Sequence, residues 1–335
     1  MKKSEKEHKY TSTGVKFWRH RKQLESYLTE DGYTVISTHI SPEGSCNLQC
    51  SYCSVSKRDQ HERIELKVIK DYVTKLYTRG LQAVILTGGG EPTLYPHFNE
   101  LVSWLHNEMR LKVSLITNGT QQLNINVWDK FDWIRVSINN FKDWQDKINI
   151  PVEAVKDSCV IGASLIYSGK NTKILRDVSK LANKINAQYV RLLPNCMDNQ
   201  KELLKWHKKL EKSMKKLNDS RFFHQFKTHG RPVSTICHQA YFRPYLSEVD
   251  GGVVFPCDSL VLNDQIQHFA NKYAICRAED ILDFMDRKVQ MTFDPIVDCE
   301  GCVFTENIKL LHKWHACGIN KFDKYTERLE HEEFV

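Results

Sequence analysis

The chain has 335 residues and carries 48 Lys plus Arg against 41 Asp plus Glu, a net charge of +7. That length allows a large core with room for one big domain and a smaller one. The modest positive excess is compatible with an anionic substrate and falls well short of a nucleic-acid-binding signature. No run is apolar enough to span a bilayer, so no membrane partner is expected. No apolar segment of the secretory kind follows the charges of Met1-Lys2-Lys3-Ser4-Glu5-Lys6, which makes the cytoplasm the expected location. Eleven cysteines in that setting point to metal-binding or catalytic thiols rather than a disulfide framework.

Residues 1–33 are polar and basic, dotted with Tyr10, Phe17 and Trp18, and read as an N-terminal extension packed on the core. From Thr34 short apolar runs alternate with segments of helical period. The pattern predicts strands at Val35–Ile40, Ala83–Leu86, Val113–Ile116, Ile134–Ile138, Val160–Ile166 and Tyr189–Leu193. Between them, Leu66, Ile69, Val73 and Leu76 form one helical stripe, and Ile174, Val178, Leu181 and Ile185 another. Six such units predict an α/β fold, a partial (β/α)6 barrel over residues 34–218.

Residues 201–217 read as an amphipathic helix with seven lysines on what is most simply a solvated face. Residues 219–235 read as a linker. Within it, Arg221 to Lys227 interleaves aromatics with bases, a pattern that suits core phenylalanines more often than a nucleotide-stacking platform. Residues 236–335 form a second, smaller α+β domain that opens on a hairpin, with strands at Tyr245–Val249 and Val253–Phe255 and with Gly251 and Gly252 in the turn.

Cys46, Cys50 and Cys53 stand in one short loop after the first strand. Thiolates favour iron-sulfur clusters or zinc, and a 4Fe-4S cluster usually takes four of them. A triplet with no fourth cysteine nearby leaves one iron for a small molecule to complete. A zinc knuckle is the plainer alternative. After the second strand comes Thr87-Gly88-Gly89-Gly90-Glu91-Pro92, whose glycines let a ligand approach backbone and whose Glu91 supplies an acceptor. A phosphate loop would need a Gly-Lys-Ser/Thr ending, which is missing. Ligands in such sheets sit at the carboxyl ends of the strands, where both motifs fall. Asn118, Ser137 and Asn139 close the third and fourth strands and also suit ordinary turn roles, while Arg191 in the sixth suits either a carboxylate clamp or a structural ion pair.

The CxxxC-aromatic-xC loop at Cys46 to Cys53 and the GGEP motif at Gly89 to Pro92 resemble those of radical S-adenosylmethionine (SAM) enzymes. The resemblance implies that the amino and carboxylate groups of SAM chelate the open iron of a 4Fe-4S cluster. One electron then splits the sulfonium to methionine and a 5'-deoxyadenosyl radical, which takes a hydrogen atom from substrate. It also implies that Gly89, Gly90 and Glu91 bind the cofactor, that Tyr52 lies beside its adenine, and that polar groups at the third and fourth strand ends approach its methionine and ribose. An external electron donor such as flavodoxin or ferredoxin is expected.

Cys237, Cys257 and the pair Cys299 and Cys302 form a second set, one thiol near each outer end of the hairpin plus a CxxC. Four thiolates would enclose a complete cluster, with zinc as the structural alternative. The spacing is similar to the twitch subgroup of SPASM-type domains, which carry one auxiliary 4Fe-4S cluster. Ile308 and His312 occupy the offsets where a full SPASM pattern has further cysteines. Cys317 is left over, and Cys159, Cys196 and Cys276 lack ligand spacing, although Cys196 follows strand six closely enough to meet a substrate pocket. The expected substrate is a small polar or anionic metabolite of sugar or nucleotide type. A SPASM-type peptide or protein maturase, a nucleic-acid base modifier and a non-enzymatic electron carrier are the alternatives. No catalytic acid or base is legible.

Overall fold

The computed structural model describes residues 5–120, 125–138, 144–167, 173–260, 272–299, 301–317 and 330–335. Six strands, β1 (Ser37–Ile40), β2 (Ala83–Leu86), β3 (Lys112–Thr117), β4 (Trp133–Ile138), β5 (Val160–Ile166) and β6 (Tyr189–Leu193), pair in parallel in chain order. β1 begins at Ser37 rather than Val35 because the Val35 and Ile36 amides donate to the carbonyls of Arg79 and Phe242, outside the β1–β2 ladder.

Helices α1 (Glu5–Tyr10) and α2 (Arg21–Thr29) precede the sheet. α3 (Leu66–Tyr77), α4 (Phe98–Ser103), α5 (Trp144–Lys147), α6 (Lys173–Lys184) and α7 (Gln200–Met214) fill the connections after β1, β2, β4, β5 and β6. α3 buries Ile69, Tyr72, Val73 and Leu76, and α6 buries Leu175, Val178 and Leu181. At spacings of three and four these form one stripe per helix, each large side chain contributing about 1.5–3 kcal/mol of burial.

The segment expected to be a linker contains β7 (Phe222–His224), which adds a seventh parallel strand beside β6. Phe222 packs into the main core and Phe223 into a separate cluster with Trp133 and Tyr189. A three-residue strand apolar on both faces has no period to betray it.

The hairpin is formed by β8 (Tyr245–Ser247) and β9 (Val253–Phe255), and a short β10 (Cys276–Arg277) pairs with β9. Gly251 (φ 74°) and Gly252 (φ 135°) take the left-handed backbone of the turn. β8 runs parallel to β1 and bonds to it, so hairpin and barrel share one ten-stranded sheet in the order β10-β9-β8-β1-β2-β3-β4-β5-β6-β7.

The strand-start end of the barrel is plugged. Tyr10 stacks on Tyr189, ring centroids 4.3 Å apart, and Phe334 packs edge-on against Trp133 at 5.5 Å. α8 (Ile281–Met285), α9 (Pro295–Asp298) and α10 (Thr305–Cys317) follow the hairpin, and α10 buries Leu311 and Trp314. Among the described residues no helix is long and apolar enough to cross a membrane.

Candidate active site

The two motif loops leave adjacent parallel strands and are bonded to each other residue by residue. Thr87 N–H donates to the Ile40 carbonyl (2.9 Å), Gly90 N–H to that of Glu43 (2.9 Å) and Glu91 N–H to that of Ser45 (2.8 Å). Gly89 N–H donates to the Ser41 hydroxyl at 2.5 Å. A Cβ on Gly90 would strike the Ser45 carbonyl oxygen, and one on Gly89 would strike the Glu248 carboxylate. The glycines therefore allow the cysteine loop and the β8 end to close onto this turn.

Glu91 is 3% exposed. Its Oε1 accepts from the amide and hydroxyl of Thr93 (3.2 and 2.7 Å) and the hydroxyl of Thr117 (2.6 Å), and its Oε2 accepts from the Asn118 amide (2.8 Å). Burial raises its pKa, and these hydrogen bonds work against that rise. Glu91 thus clamps the glycine loop to the end of β3. Asn118 continues the tie, donating from Nδ2 to Asn47 Oδ1 in the cysteine loop (2.8 Å). Tyr52 O–H reaches the Ile138 carbonyl at the end of β4 (3.5 Å). Ser137 is half-buried in β4, in register with Ser164 of β5. Asn139 lies outside the described residues.

Cys46, Cys50 and Cys53 are all half-buried free thiols. Arg58 braces their loop, donating to the carbonyls of Gly44 (2.6 Å) and Val55 (2.8 Å) and lying 3.6 Å from Cys53 Sγ. Burial raises the Cys46 thiol and pushes Cys50 up to about 11, with Cys53 and Cys46 adding to the rise at Cys50. A bound iron centre would take these thiols as thiolates against that burial. Among the described residues no three Cys, His, Asp or Glu side chains close around a single metal ion. A cubane instead takes one thiol per iron. Three thiols, a glycine turn without Cβ atoms beside them and a buried polar network form a donor set that fits a 4Fe-4S cluster with SAM.

The second cysteine set is also brought together. Cys237 opens the turn at His238–Tyr241, Cys257 follows β9 and Cys299 follows α9. Cys302 exchanges backbone hydrogen bonds with Gly230 (3.0 and 3.1 Å). All four line one cavity with Pro232, Pro256, Phe293, Phe304 and Ile308. Burial raises every one of these thiols, Cys299 to about 12, and neighbouring thiols of the set add to the rise at Cys237, Cys257 and Cys299. Cys159 is buried, Cys276 is half-buried in β10, and Cys317 is exposed at the end of α10. None of these three lines that cavity. Cys196 is half-buried, its Sγ 3.9 Å from the Pro194 carbonyl.

A cavity of about 750 Å³ lies between the barrel interior, the segment 7–15 and the start of α10, within the range of small-molecule sites. Arg135 of β4 and Arg191 of β6 reach it from inside the sheet, and Lys227, Arg243 and Asp258 reach it from the connections beyond β7, before β8 and after β9. Arg191 donates to Ser164 Oγ from Nε (3.0 Å) and Nη2 (2.8 Å), and burial followed by Arg135 lowers it to about 9. Arg243 Nη1 donates to His39 Nε2 (3.4 Å), which leaves Nδ1 as the protonated nitrogen, 3.3 Å from Asp258. Burial opposes ionisation of Asp258, yet His39, Arg243 and Lys227 hold its carboxyl well below the usual range. Lys227 and Arg243 also sit over the Phe304 ring, 5.2 and 4.6 Å from its centroid.

Sequence reasoning found Arg191 and met Lys227 only as the end of an aromatic-basic stretch better suited to the core, and it passed over Arg135, Arg243 and Asp258. Arg135 did leave a signal, because it alternates with Trp133 and Ser137 on the inward face of an otherwise apolar strand.

Paired motif loops at the carboxyl ends of a parallel sheet occupy the place where α/β folds bind their ligands. The sequence model of the radical SAM superfamily matches residues 40–186. An S-adenosylmethionine-dependent nucleotide dehydratase of Selenomonas ruminantium is 32% identical over 110 residues, 31% of this chain and 39% of that protein's length. Among solved structures, SuiB of Streptococcus suis bound to precursor peptide SuiA aligns with a TM-score of 0.55 at 12% identity, over 87% of this chain and 74% of the other. Native anSMEcpe with bound AdoMet aligns at 0.54 and 17% identity, over 82% and 88%. At such identities these two alignments speak for the fold. The matched stretch, residues 40–186, carries both motif loops, so this part of the chain is similar to radical SAM enzymes, while the chain spans only 39% of the length of the Selenomonas relative.

Proposed function

We propose that this chain uses the 5'-deoxyadenosyl radical to remove a hydrogen atom from a small anionic metabolite of nucleotide or sugar type. The cluster and SAM, when bound, supply that radical by one-electron cleavage of the sulfonium. Cys46, Cys50 and Cys53 would hold the cluster, and the turn from Gly89 to Glu91, with Asn118, Tyr52 and Ser137, would hold SAM. Arg58 keeps the cysteine loop folded, while Glu91 fixes the distance from that loop to β3 through its hydrogen bonds. Glu91, Thr93, Thr117 and Asn118 are buried, so they close the inner side of the site to water, which would protect a radical from side reactions.

The carrying observation is the 750 Å³ cavity, walled by inward strand residues on one side and by Phe304, two residues from Cys302, on the other. A substrate there would lie between the barrel and the second cysteine set. Cys237, Cys257, Cys299 and Cys302 would hold an auxiliary 4Fe-4S cluster in the manner of a twitch domain, accepting an electron from the substrate-derived radical. The name of the Selenomonas relative, a nucleotide dehydratase, supports a nucleotide-type substrate. Flavodoxin or ferredoxin would supply the first electron.

The test is anaerobic reconstitution, iron and zinc counting, and chromatography for 5'-deoxyadenosine after reduction. About eight irons per chain and release of 5'-deoxyadenosine are expected. Zinc at the Cys46 loop, or no release from fully iron-loaded protein, would overturn the reading in favour of a structural site or an electron carrier.

A further inference from the structure

Arg135 and Arg191 lie on β4 and β6 with only β5 between them, Arg135 in register with Gly162 and Arg191 with Ser164. The β5 residues that separate the two guanidinium groups are thus a glycine and a serine, and the Arg135 charge works against that of Arg191. Arg191 spends two donors on the neutral Ser164 hydroxyl, and the buried Nε of Arg135 has no hydrogen-bond partner. Lys227 and Arg243 complete the group from the far wall.

Against these four cations the same cavity presents Asp258 and Glu7, while Glu306 and Lys309, 3.7 Å apart, offset one another. A surplus of two positive charges remains in a half-open cavity of buried and partly buried side chains, where like charges are costly unless an anion sits among them. A single carboxylate neutralises one of them. A phosphate group carries close to two negative charges near neutral pH and presents three acceptor oxygens, and guanidinium forks match it in geometry as well as charge.

We propose that the cavity is a phosphate-binding subsite in which Arg135, Arg191, Lys227 and Arg243 grip the phosphate of a phosphorylated small-molecule substrate. This rests on the reading of the cavity as the substrate site. Arg135 and Arg191 bind from the sheet, and Lys227 and Arg243 from the side of the second cysteine set, so the phosphate fixes which end of the substrate faces the barrel wall. Asp258 keeps Arg243 in place through an ion pair at 3.5 Å, which makes it a positioning residue.

Calorimetric titration of the reconstituted, SAM-loaded protein under anaerobic conditions tests this. The probes are inorganic pyrophosphate, GTP against guanosine, glucose 6-phosphate against glucose, and succinate. Pyrophosphate is expected to bind, together with at least one of the two phosphate esters, at least tenfold more tightly than the matching uncharged compound. Arg135→Gln and Arg191→Gln should each weaken pyrophosphate about tenfold, the usual effect of losing one charge-assisted contact, with iron content retained. Lys208→Gln on the exposed face of α7 should leave its affinity unchanged.

Succinate binding as tightly as pyrophosphate, no binding of any phosphate probe, or unaltered pyrophosphate affinity in both arginine variants would overturn the proposal. The wild-type comparison stands even if a variant fails to fold. Titration needs no turnover, so missing 5'-deoxyadenosine release would sink the radical reading while leaving the phosphate result legible. Which ester binds distinguishes nucleotide from sugar phosphate.

Discussion

Cys46, Cys50 and Cys53 stand half-buried on a loop beyond β1, with one cationic side chain, Arg58, close to Cys53. Cys237, Cys257, Cys299 and Cys302 line a cavity closed largely by three prolines, two phenylalanines, a leucine, a valine and an isoleucine. The first set is tied into polar neighbours by backbone hydrogen bonds and by Asn47, Asn118 and Glu91. The second is enclosed by apolar surface, and its thiols are pushed up mainly by burial. A site that must bind a polar ligand at an open iron needs polar surroundings. A site that only holds or passes an electron is better dry, because low solvent exposure limits reorganisation and tunes potential.

The sharpest way to break this contrast is to remove one thiol from each set. Cys50→Ala should abolish 5'-deoxyadenosine release and cost about four irons. Cys302→Ala should lose a similar number yet still cleave SAM without turning over substrate. Equal loss of release in both variants would show that the two sites are not separable in function.

A smaller effect is expected at the tie between the motif loops. Glu91→Gln places an amide donor where the carboxylate accepts from Thr93, Thr117 or Asn118, leaving buried donors facing each other. A loss of about 1–3 kcal/mol in urea unfolding of the iron-free protein is expected, with weaker SAM binding by equilibrium dialysis. Wild-type stability in that variant would remove Glu91 from the clamp role.

The smallest effect is in pH dependence. His224 is lowered to about 4 by burial and by His207, and His331 to about 4 by burial and by Lys16. Both ordinarily titrate near 6.5. Between pH 6.5 and 4 the unfolded chain therefore binds more protons than the folded one, and stability falls as pH drops through that window. His331→Gln should flatten part of that slope in urea titrations at pH 7 and 4.5, and an unchanged slope would clear His331.

Much of this molecule was legible in its residues. Ala83–Leu86, Val160–Ile166 and Tyr189–Leu193 are strands with the expected bounds, because uninterrupted apolar runs between turn signals admit few alternatives. The cysteine and glycine motifs were legible because each is local. β7 was not, since three residues carry no period, and the pairing of β8 with β1 joins segments some 200 residues apart, a distance over which local pattern is silent. The cavity cations were hidden for the same reason. Arg135, Arg191, Lys227 and Arg243 come from four separate stretches of chain and become a group only once the sheet has curled.

The β8–β1 ladder has a consequence for spacing. β1 delivers the first cysteine loop, β8 belongs to the hairpin flanked by Cys237 and Cys257, and the strands are joined by backbone hydrogen bonds such as Ser41 N–H to the Leu246 carbonyl at 2.8 Å. The separation of the two thiol groups is thus set by strand spacing rather than by a swinging tether, so it should not change with solvent viscosity.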